Sequence, residues 1–149
     1  MPSACAWMIL FVLAPAVCAG QEASETELPH IRIILVGDST VAPNNGWGQG
    51  FCELLVPQAA CLNLAKNGRS SSSYRAEGSW DEVLRELRSG AGFSATYVLV
   101  QFGHNDQPGK PGRSTDLATG FPANMRGYAR EVLAEGGRPV LVTPLTRRR

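Results

Sequence analysis

The chain alternates short aliphatic runs with segments whose apolar residues recur at three- and four-residue spacing. Each aliphatic run is typical of a strand that is covered on both faces, and these runs lie at 31–36, 61–65, 96–102 and 139–143. The helical spacing places apolar residues on one face of a helix, and the segments that show it lie at 47–56, 80–87 and 125–133. Strands and helices therefore alternate, and the order ends on a fourth strand.

This alternation predicts an α/β protein with a three-layer parallel sheet, because parallel strands are joined by right-handed crossovers through helices. We expect the fourth strand to expose an aliphatic edge, since a C-terminal strand and helix that would cover it do not follow in this sequence. In such sheets, ligands bind beyond the carboxyl ends of the strands. The residues that follow each strand are therefore the first candidates for chemistry.

The amino-terminal segment is typical of a secretory signal. It carries no charged side chain, has an apolar run at 7–12, and offers small residues for cleavage at Ala19 or Gly20, although it lacks the usual basic residue near its start. A retained membrane anchor is the alternative, but Pro15 interrupts a run shorter than the roughly 20 residues that a span needs. We therefore expect a secreted or periplasmic protein, divided into a signal peptide at 1–20, a polar spacer at 21–30 and a folded domain at 31–149.

The composition and charge of the sequence argue against two classes of binding partner, nucleic acids and anionic membranes. The sequence has 14 basic and 13 acidic residues, so its formal charge of +1 gives no field that would gather nucleic acid or an anionic membrane. A hydrophobic content of 44% with 18% charged residues is typical of a globular protein. We expect a monomer that needs no metal and no cofactor, and we interpret the arginine run at 147–149 as part of a loop.

Two cysteines, Cys52 and Cys61, follow the predicted cleavage site. An even pair in an oxidising compartment predicts a disulfide if the two β-carbons come within about 4 Å of each other. Two buried thiols are the alternative, and the sequence does not decide between the two states.

Three short polar motifs directly follow the first three predicted strands. Gly-Asp-Ser-Thr, Asn-Gly-Arg-Ser and Gly-His-Asn-Asp occupy 37–40, 67–70 and 103–106. Ser39 can present a hydroxyl nucleophile, Gly68 can bring its backbone N–H close to a ligand, and Asn105 can donate a side-chain N–H. Taken alone, the first motif is more simply interpreted as a helix cap, and each of the other two is compatible with an ordinary turn. Their occurrence in order at three successive strand ends favours one shared site.

Together the motifs resemble those of the SGNH, or GDSL-type, hydrolases, whose sheet is flavodoxin-like. Within that family, these motifs and a late Pro-Leu-Thr-Arg-Arg at 144–148 resemble the rhamnogalacturonan acetylesterase-like carbohydrate esterases. The resemblance implies that Ser39 is the nucleophile and that Ser39, Gly68 and Asn105 donate hydrogen bonds to the oxyanion. It also implies removal of acetyl groups from pectin-like polysaccharide through an acyl-serine intermediate.

The family pattern also includes a later Asp-x-x-His block that supplies the general base, and no such block occurs in these 149 residues. His30 precedes the first strand and should lie at the opposite edge of the sheet from Ser39. His104 neighbours Asn105 and should point elsewhere, so we expect a substrate contact rather than a base. We therefore expect a partial SGNH domain, truncated before that block, with weak or no turnover.

Alternatives stay open at several positions. Trp47 lies in a Gly-Trp-Gly motif and could bind substrate by stacking on a sugar ring, but core packing is the favoured interpretation. Asp38 and Asp106 lack histidine partners and are interpreted as loop-ordering residues rather than as a triad acid or metal ligands. Two other functions compete with the acetylesterase: a non-catalytic product that at most binds acylated sugar, and an SGNH lipase or thioesterase.

Overall fold

A parallel four-stranded sheet forms the centre of the computed structural model, which describes residues 30–146. Its strands are β1 (Ile31–Gly37), β2 (Ala59–Asn63), β3 (Ala95–Gln101) and β4 (Arg138–Leu141), in the order β2-β1-β3-β4. All pairings are parallel, with Ile33 opposite Cys61 on one side and opposite Tyr97 on the other. This strand order is flavodoxin-like, and it makes β1 and β3 the central strands.

Helices cover both faces of the sheet. They are α1 (Gly48–Glu53), α2 (Ser73–Ala76), α3 (Ser79–Arg88) and α4 (Gly120–Ala134). The larger core lies on the face covered by α3 and α4, where Trp80 and Val132 join Val98. The smaller core lies on the other face, where Phe51 of α1 packs against the cluster that contains Leu35. The predicted three-layer α/β class is thus confirmed.

Strand β1 shows why its aliphatic run is nearly continuous. Ile34 and Leu35 are both fully buried, and they belong to the larger and the smaller core respectively, because successive side chains point to opposite faces. Arg32, the polar interruption, is also buried, and its guanidinium lies 4.9 Å from the centre of the Phe93 ring. Its Nη1 lies 3.5 Å from the Glu86 carboxylate, so the buried charge has a partner.

The first helix and the second strand differ from their predicted bounds. Helix α1 ends at Glu53 rather than at 56, and Leu54, which the spacing assigned to the buried face, is 88% exposed. A turn closed by the Ala59 N–H on the Val56 carbonyl, at 2.9 Å, reverses the chain and starts β2 two residues before the predicted position. The four-residue helix α2 was not predicted, because it is too short to show an apolar period.

The edge strand β4 exposes apolar side chains, as expected. Val140 is 40% exposed and Leu141 is 50% exposed. Leu133 was predicted on the buried face of α4, and that prediction is wrong because Leu133 lines an open groove with Leu141 and is 61% exposed. Among residues 30–146, no strand pairs with the outer edge of β4.

Cys52 and Cys61 form a disulfide that joins α1 to β2. Their Cα atoms lie 5.5 Å apart, within the range that a disulfide requires. Of the two alternatives that the sequence left open, the structure contains the bonded pair rather than two thiols.

The predicted signal peptide, nearly all of the predicted spacer and the arginine run at 147–149 lie outside the described residues. Within the part of the chain that the structure describes, no helix combines the length and apolar content needed to cross a bilayer. Export, the domain boundaries and the monomeric state therefore stay predictions.

Candidate active site

The three motifs predicted from the sequence lie at one edge of the sheet. Ser39 follows β1, Gly68 follows β2 and Asn105 follows β3. Because these strands are adjacent and parallel, their carboxyl ends meet at the same edge. The Asn105 side chain donates from Nδ2 to the Arg69 carbonyl at 3.0 Å, so the second and third motifs are in direct contact.

A turn after β1 presents Ser39. The Asp38 carboxylate is 1% exposed and accepts the Thr40 N–H at 2.9 Å and the Thr40 hydroxyl at 2.8 Å. The Asp38 carbonyl accepts the N–H groups of Val41 and Ala42. Asp38 thus orders this turn. Ser39 is half-buried, and within residues 30–146 neither its hydroxyl nor its backbone N–H has a hydrogen-bond partner.

Glycines allow other backbone segments to pack directly on this turn. A β-carbon on Gly37 would lie 2.6 Å from the Gln101 carbonyl oxygen. A β-carbon on Gly46 would lie 2.5 Å from the Thr40 carbonyl oxygen, and one on Gly48 would collide with the Val41 carbonyl. The Gly-Trp-Gly motif therefore supports the turn through close backbone packing that a larger residue would prevent.

Trp47, which lies between Gly46 and Gly48, packs into the smaller core. Its indole is half-buried in the smaller core, with its ring edge-on to Phe51 at a centroid distance of 5.7 Å. Its backbone N–H donates to the Thr40 carbonyl at 2.9 Å. These contacts agree with the core-packing interpretation, and stacking of Trp47 on a sugar stays a prediction.

Gln101, at the end of β3, is a buried polar residue that the sequence analysis missed. Its Oε1 accepts hydrogen bonds from the Trp47 indole N–H at 2.9 Å and from the Thr40 hydroxyl at 3.1 Å. The same Thr40 hydroxyl also donates to the Asp38 carboxylate. Its Nε2 donates to the Thr143 carbonyl at 2.6 Å. One amide thus connects the Ser39 turn, the Gly-Trp-Gly motif and the segment after β4. The only signal in the sequence was a glutamine inside an aliphatic run.

Gly68 adopts a backbone conformation that favours glycine. Its φ is +76°, in the left-handed region. Its carbonyl oxygen lies 3.4 Å from Nη1 of Arg113, which comes from the segment after Asn105. Among the described residues, its N–H has no acceptor. The second motif therefore contains a backbone donor that is unpaired among the described residues.

Asp106 holds the loop after β2 in place. It is fully buried, and its carboxylate accepts the N–H of Ser71 at 3.1 Å and the hydroxyl of Ser71 at 2.6 Å. From α4, Asn124 donates to the Ser71 hydroxyl at 2.9 Å and Tyr128 donates to the Ser71 carbonyl at 2.7 Å. Burial raises the pKa of Tyr128 far above its ordinary value of 10, so its hydroxyl remains a donor at any physiological pH. Asp106 is therefore a loop-ordering residue.

No protein-family model matches the chain. It is 37% identical over 126 residues to rhamnogalacturonan acetylesterase RhgT of Bacillus subtilis, an alignment that covers 80% of this chain and 51% of RhgT. It is 32% identical over 123 residues to the probable rhamnogalacturonan acetylesterase YesY of the same bacterium, covering 78% of this chain and 54% of YesY. The chain spans about half the length of these two curated relatives.

Two solved structures share the fold. Protein YxiM of Bacillus subtilis matches with a TM-score of 0.64 and 26% identity, over 80% of this chain and 34% of YxiM. A Slackia heliotrinireducens protein assigned to the SGNH hydrolases matches with a TM-score of 0.50 and 16% identity, over 74% of this chain and 54% of that protein. The chain is similar in sequence to rhamnogalacturonan acetylesterases, and it has the three-layer α/β fold of the SGNH-type hydrolases.

Ser39 has no histidine partner in the described part of the chain. His30 precedes β1, and the seven residues of that strand, about 23 Å at roughly 3.3 Å per residue, separate it from the Ser39 edge. His104 is half-buried, and its Nε2 lies 2.6 Å from the Leu145 carbonyl oxygen. Its ring is thus bonded to the segment after β4, and the predicted substrate contact of His104 stays a prediction.

Proposed function

We propose that this chain carries the nucleophile and the oxyanion donors of a serine esterase that removes acetyl groups from pectin-like polysaccharide. The arrangement of unpaired donors at the sheet edge carries the proposal. The N–H groups of Ser39 and Gly68 have no acceptor among the described residues, and Asn105 uses one of its two Nδ2 hydrogens on the Arg69 carbonyl. Three donors are therefore available at the edge of the sheet that carries Ser39, whose hydroxyl has no partner among the described residues. The names of RhgT and YesY support the choice of substrate.

The proposed reaction proceeds through an acetyl-serine. Ser39 Oγ attacks the acetyl carbonyl carbon, and the resulting oxyanion accepts hydrogen bonds from the three donors. The carbon–oxygen bond to the sugar then breaks, and the serine proton passes through a base to the departing sugar oxygen, which leaves as a hydroxyl. Water then attacks the acetyl-serine, which breaks the ester bond to Ser39 Oγ and releases acetate and the free serine. Removal of one oxyanion donor typically costs about 3 kcal/mol of transition-state stabilisation. Ser39, Gly68 and Asn105 would therefore account for a substantial part of the rate.

Binding of acylated sugar without efficient turnover is the second candidate function. It is favoured by the positions of the two histidines, because His30 lies at the opposite edge of the sheet and His104 is bonded to the Leu145 carbonyl. Catalytic triad members act as a unit, so a serine without its base retains only the catalysis that the oxyanion donors supply. For these 149 residues we therefore propose weak acetate release.

Acetate release from acetylated rhamnogalacturonan and from p-nitrophenyl acetate tests the proposal. We expect a slow rate that Ser39→Ala abolishes and that Ser89→Ala, at an exposed serine after α3, leaves unchanged. Added imidazole should raise the wild-type rate, after subtraction of the Ser39→Ala rate, because neither His30 nor His104 is bonded to Ser39 and imidazole can act as the base. Equal rates for wild type and Ser39→Ala would overturn the nucleophile assignment. Sugar binding without any imidazole-dependent release would favour the second candidate.

We also propose that the protein is exported and acts outside the cytoplasm as a monomer. The Cys52–Cys61 disulfide supports export, because such bonds persist in oxidising compartments. Fractionation of cells that express the chain with and without residues 1–20 tests this proposal. Retention of both forms in the cytoplasm would contradict it, and a dimer mass in light scattering would contradict the monomer.

A further inference from the structure

The segment after β3 brings a cation beside the candidate oxyanion glycine. Nη1 of Arg113 lies 3.4 Å from the Gly68 carbonyl oxygen and 3.4 Å from the position that a β-carbon on Gly68 would occupy. Arg113 is half-buried, and no carboxylate among residues 30–146 forms an ion pair with it. Its positive charge is therefore uncompensated at the edge that carries Ser39.

The loop that carries Arg113 is ordered by its own hydrogen bonds. Thr115 donates its backbone N–H to the Asp106 carbonyl at 2.8 Å, which anchors the loop to the third motif. The Ser114 hydroxyl accepts the Lys110 N–H at 2.8 Å and donates to the Gln107 carbonyl at 2.9 Å. The Arg113 N–H donates to the Lys110 carbonyl at 3.0 Å. The backbone that positions the guanidinium is thus held in place before any ligand binds.

A comparison with Arg69 shows what distinguishes Arg113. Arg69 belongs to the second motif, but its Nε lies 2.8 Å from the Glu77 carboxylate and its Nη1 donates to the Asn67 carbonyl at 2.9 Å. Its charge is therefore paired with a carboxylate, and two of its five N–H donors are engaged within the protein. The Arg113 guanidinium has five N–H donors, and the Gly68 carbonyl is its one acceptor among the described residues.

We propose that Arg113 binds a uronate carboxylate of the polysaccharide that occupies this edge of the sheet, and so sets the preference for an anionic chain. This inference rests on the proposed function, because it assigns the charge of the substrate at the same site. A planar guanidinium donates two parallel N–H···O bonds to the two oxygens of a carboxylate and forms an ion pair with it. A neutral sugar or a methyl-esterified uronate has no negative charge and cannot form this ion pair. Arg113 acts on binding, so its loss should change affinity and KM while kcat on a neutral ester is retained.

The test compares an acetylated rhamnogalacturonan oligosaccharide with its methyl-esterified form, by titration calorimetry on the Ser39→Ala background, which prevents turnover. We expect the anionic form to bind about fivefold more tightly, the effect of about 1 kcal/mol from one solvent-screened ion pair. Arg113→Gln should abolish this preference and Arg113→Lys should keep part of it. Arg85→Gln, which removes one charge from an exposed position on α3, should leave the preference unchanged. Circular dichroism of each variant verifies that it is folded.

The outcomes separate this inference from the proposed function. Arg113→Gln with an unchanged preference, an equal loss of affinity for both oligosaccharides, or no binding of either by the parent protein would overturn the role of Arg113. None of these results depends on catalysis. Conversely, hydrolysis of p-nitrophenyl acetate that is independent of Ser39 would overturn the proposed function, whatever Arg113 does to binding. Raised salt should weaken the preference of the parent protein for the anionic oligosaccharide, whereas Arg113→Gln should show no preference at low or at high salt.

Discussion

Replacing Gln101 by leucine tests whether one buried amide holds the turn that presents Ser39. The side chain is 2% exposed, and it bonds the Trp47 indole N–H, the Thr40 hydroxyl and the Thr143 carbonyl. Leucine is similar in volume but offers neither a donor nor an acceptor. The substitution therefore removes three hydrogen bonds while it changes the packing little.

The size of the stability loss depends on which of the former partners of Gln101 can bind water instead. The Thr40 hydroxyl keeps its bond to Asp38 at 2.8 Å, and Thr143 is an exposed residue whose carbonyl can bind solvent instead. These two losses should cost about 1 kcal/mol or less each. The indole N–H of the half-buried Trp47 lies against a buried residue, and leaving such a donor unsatisfied costs about 1–3 kcal/mol. Burial of the leucine side chain offsets part of this, so we expect a net loss of about 2 kcal/mol.

Urea unfolding followed by tryptophan fluorescence measures this loss. A decrease of about 2 kcal/mol is a large part of the roughly 5–15 kcal/mol that stabilises a typical domain. Gln49→Leu is the matched control, because Gln49 is exposed and bonds only the side chain of Glu53, at 2.8 Å. We expect that control to change stability by less than about 0.5 kcal/mol. Equal effects of the two substitutions would refute the argument that Gln101 holds this turn.

Two further predictions concern packing and charge. Gly37→Ala should destabilise the fold by about 1–3 kcal/mol, because its β-carbon would meet a backbone carbonyl at 2.6 Å, whereas Gly50→Ala in α1 has nothing within 4 Å and should stabilise it by up to about 1 kcal/mol. Urea midpoints that shift in the same direction would contradict this. Burial opposes the ionisation of Glu131, but hydrogen bonds from Arg75 and Trp80 outweigh it and hold the pKa of Glu131 below its ordinary value of 4.5. This carboxylate therefore stabilises the fold above pH 4.5 and loses that effect as the pH falls through the lowered pKa. Between pH 6 and pH 3 the urea midpoint of Glu131→Gln should fall less steeply than that of wild type, and parallel curves would contradict the assignment.

The fold class could be predicted because burial on both faces leaves a direct mark on the sequence. The alternating side chains of β1 enter two different cores, so nearly every position is aliphatic. The bounds of α1 could not be predicted, because apolar spacing does not show where a turn hydrogen bond ends a helix. Leu54 continues the apolar pattern but is 88% exposed, since the chain reverses at that point.

The location of the candidate site also followed from the sequence, since the ends of adjacent parallel strands must lie together. This brings the segments of Ser39, Gly68 and Asn105 to one edge without knowledge of any side-chain position. The bond from Asn105 to the Arg69 carbonyl could not be predicted, because it depends on how two loops approach each other. The same holds for Gln101, whose partners come from three separate segments.

The order of the elements, the parallel sheet and the residue types available for chemistry could all be predicted from the sequence, because they depend on periodicity and on side-chain identity. The three-dimensional structure was needed to establish that Cys52 bonds Cys61, that His104 lies against the Leu145 carbonyl, and that Arg113 lies beside Gly68. Each of these depends on a distance between atoms from separate segments. Such distances are set by the packing of the whole chain, and no local pattern of residues encodes them.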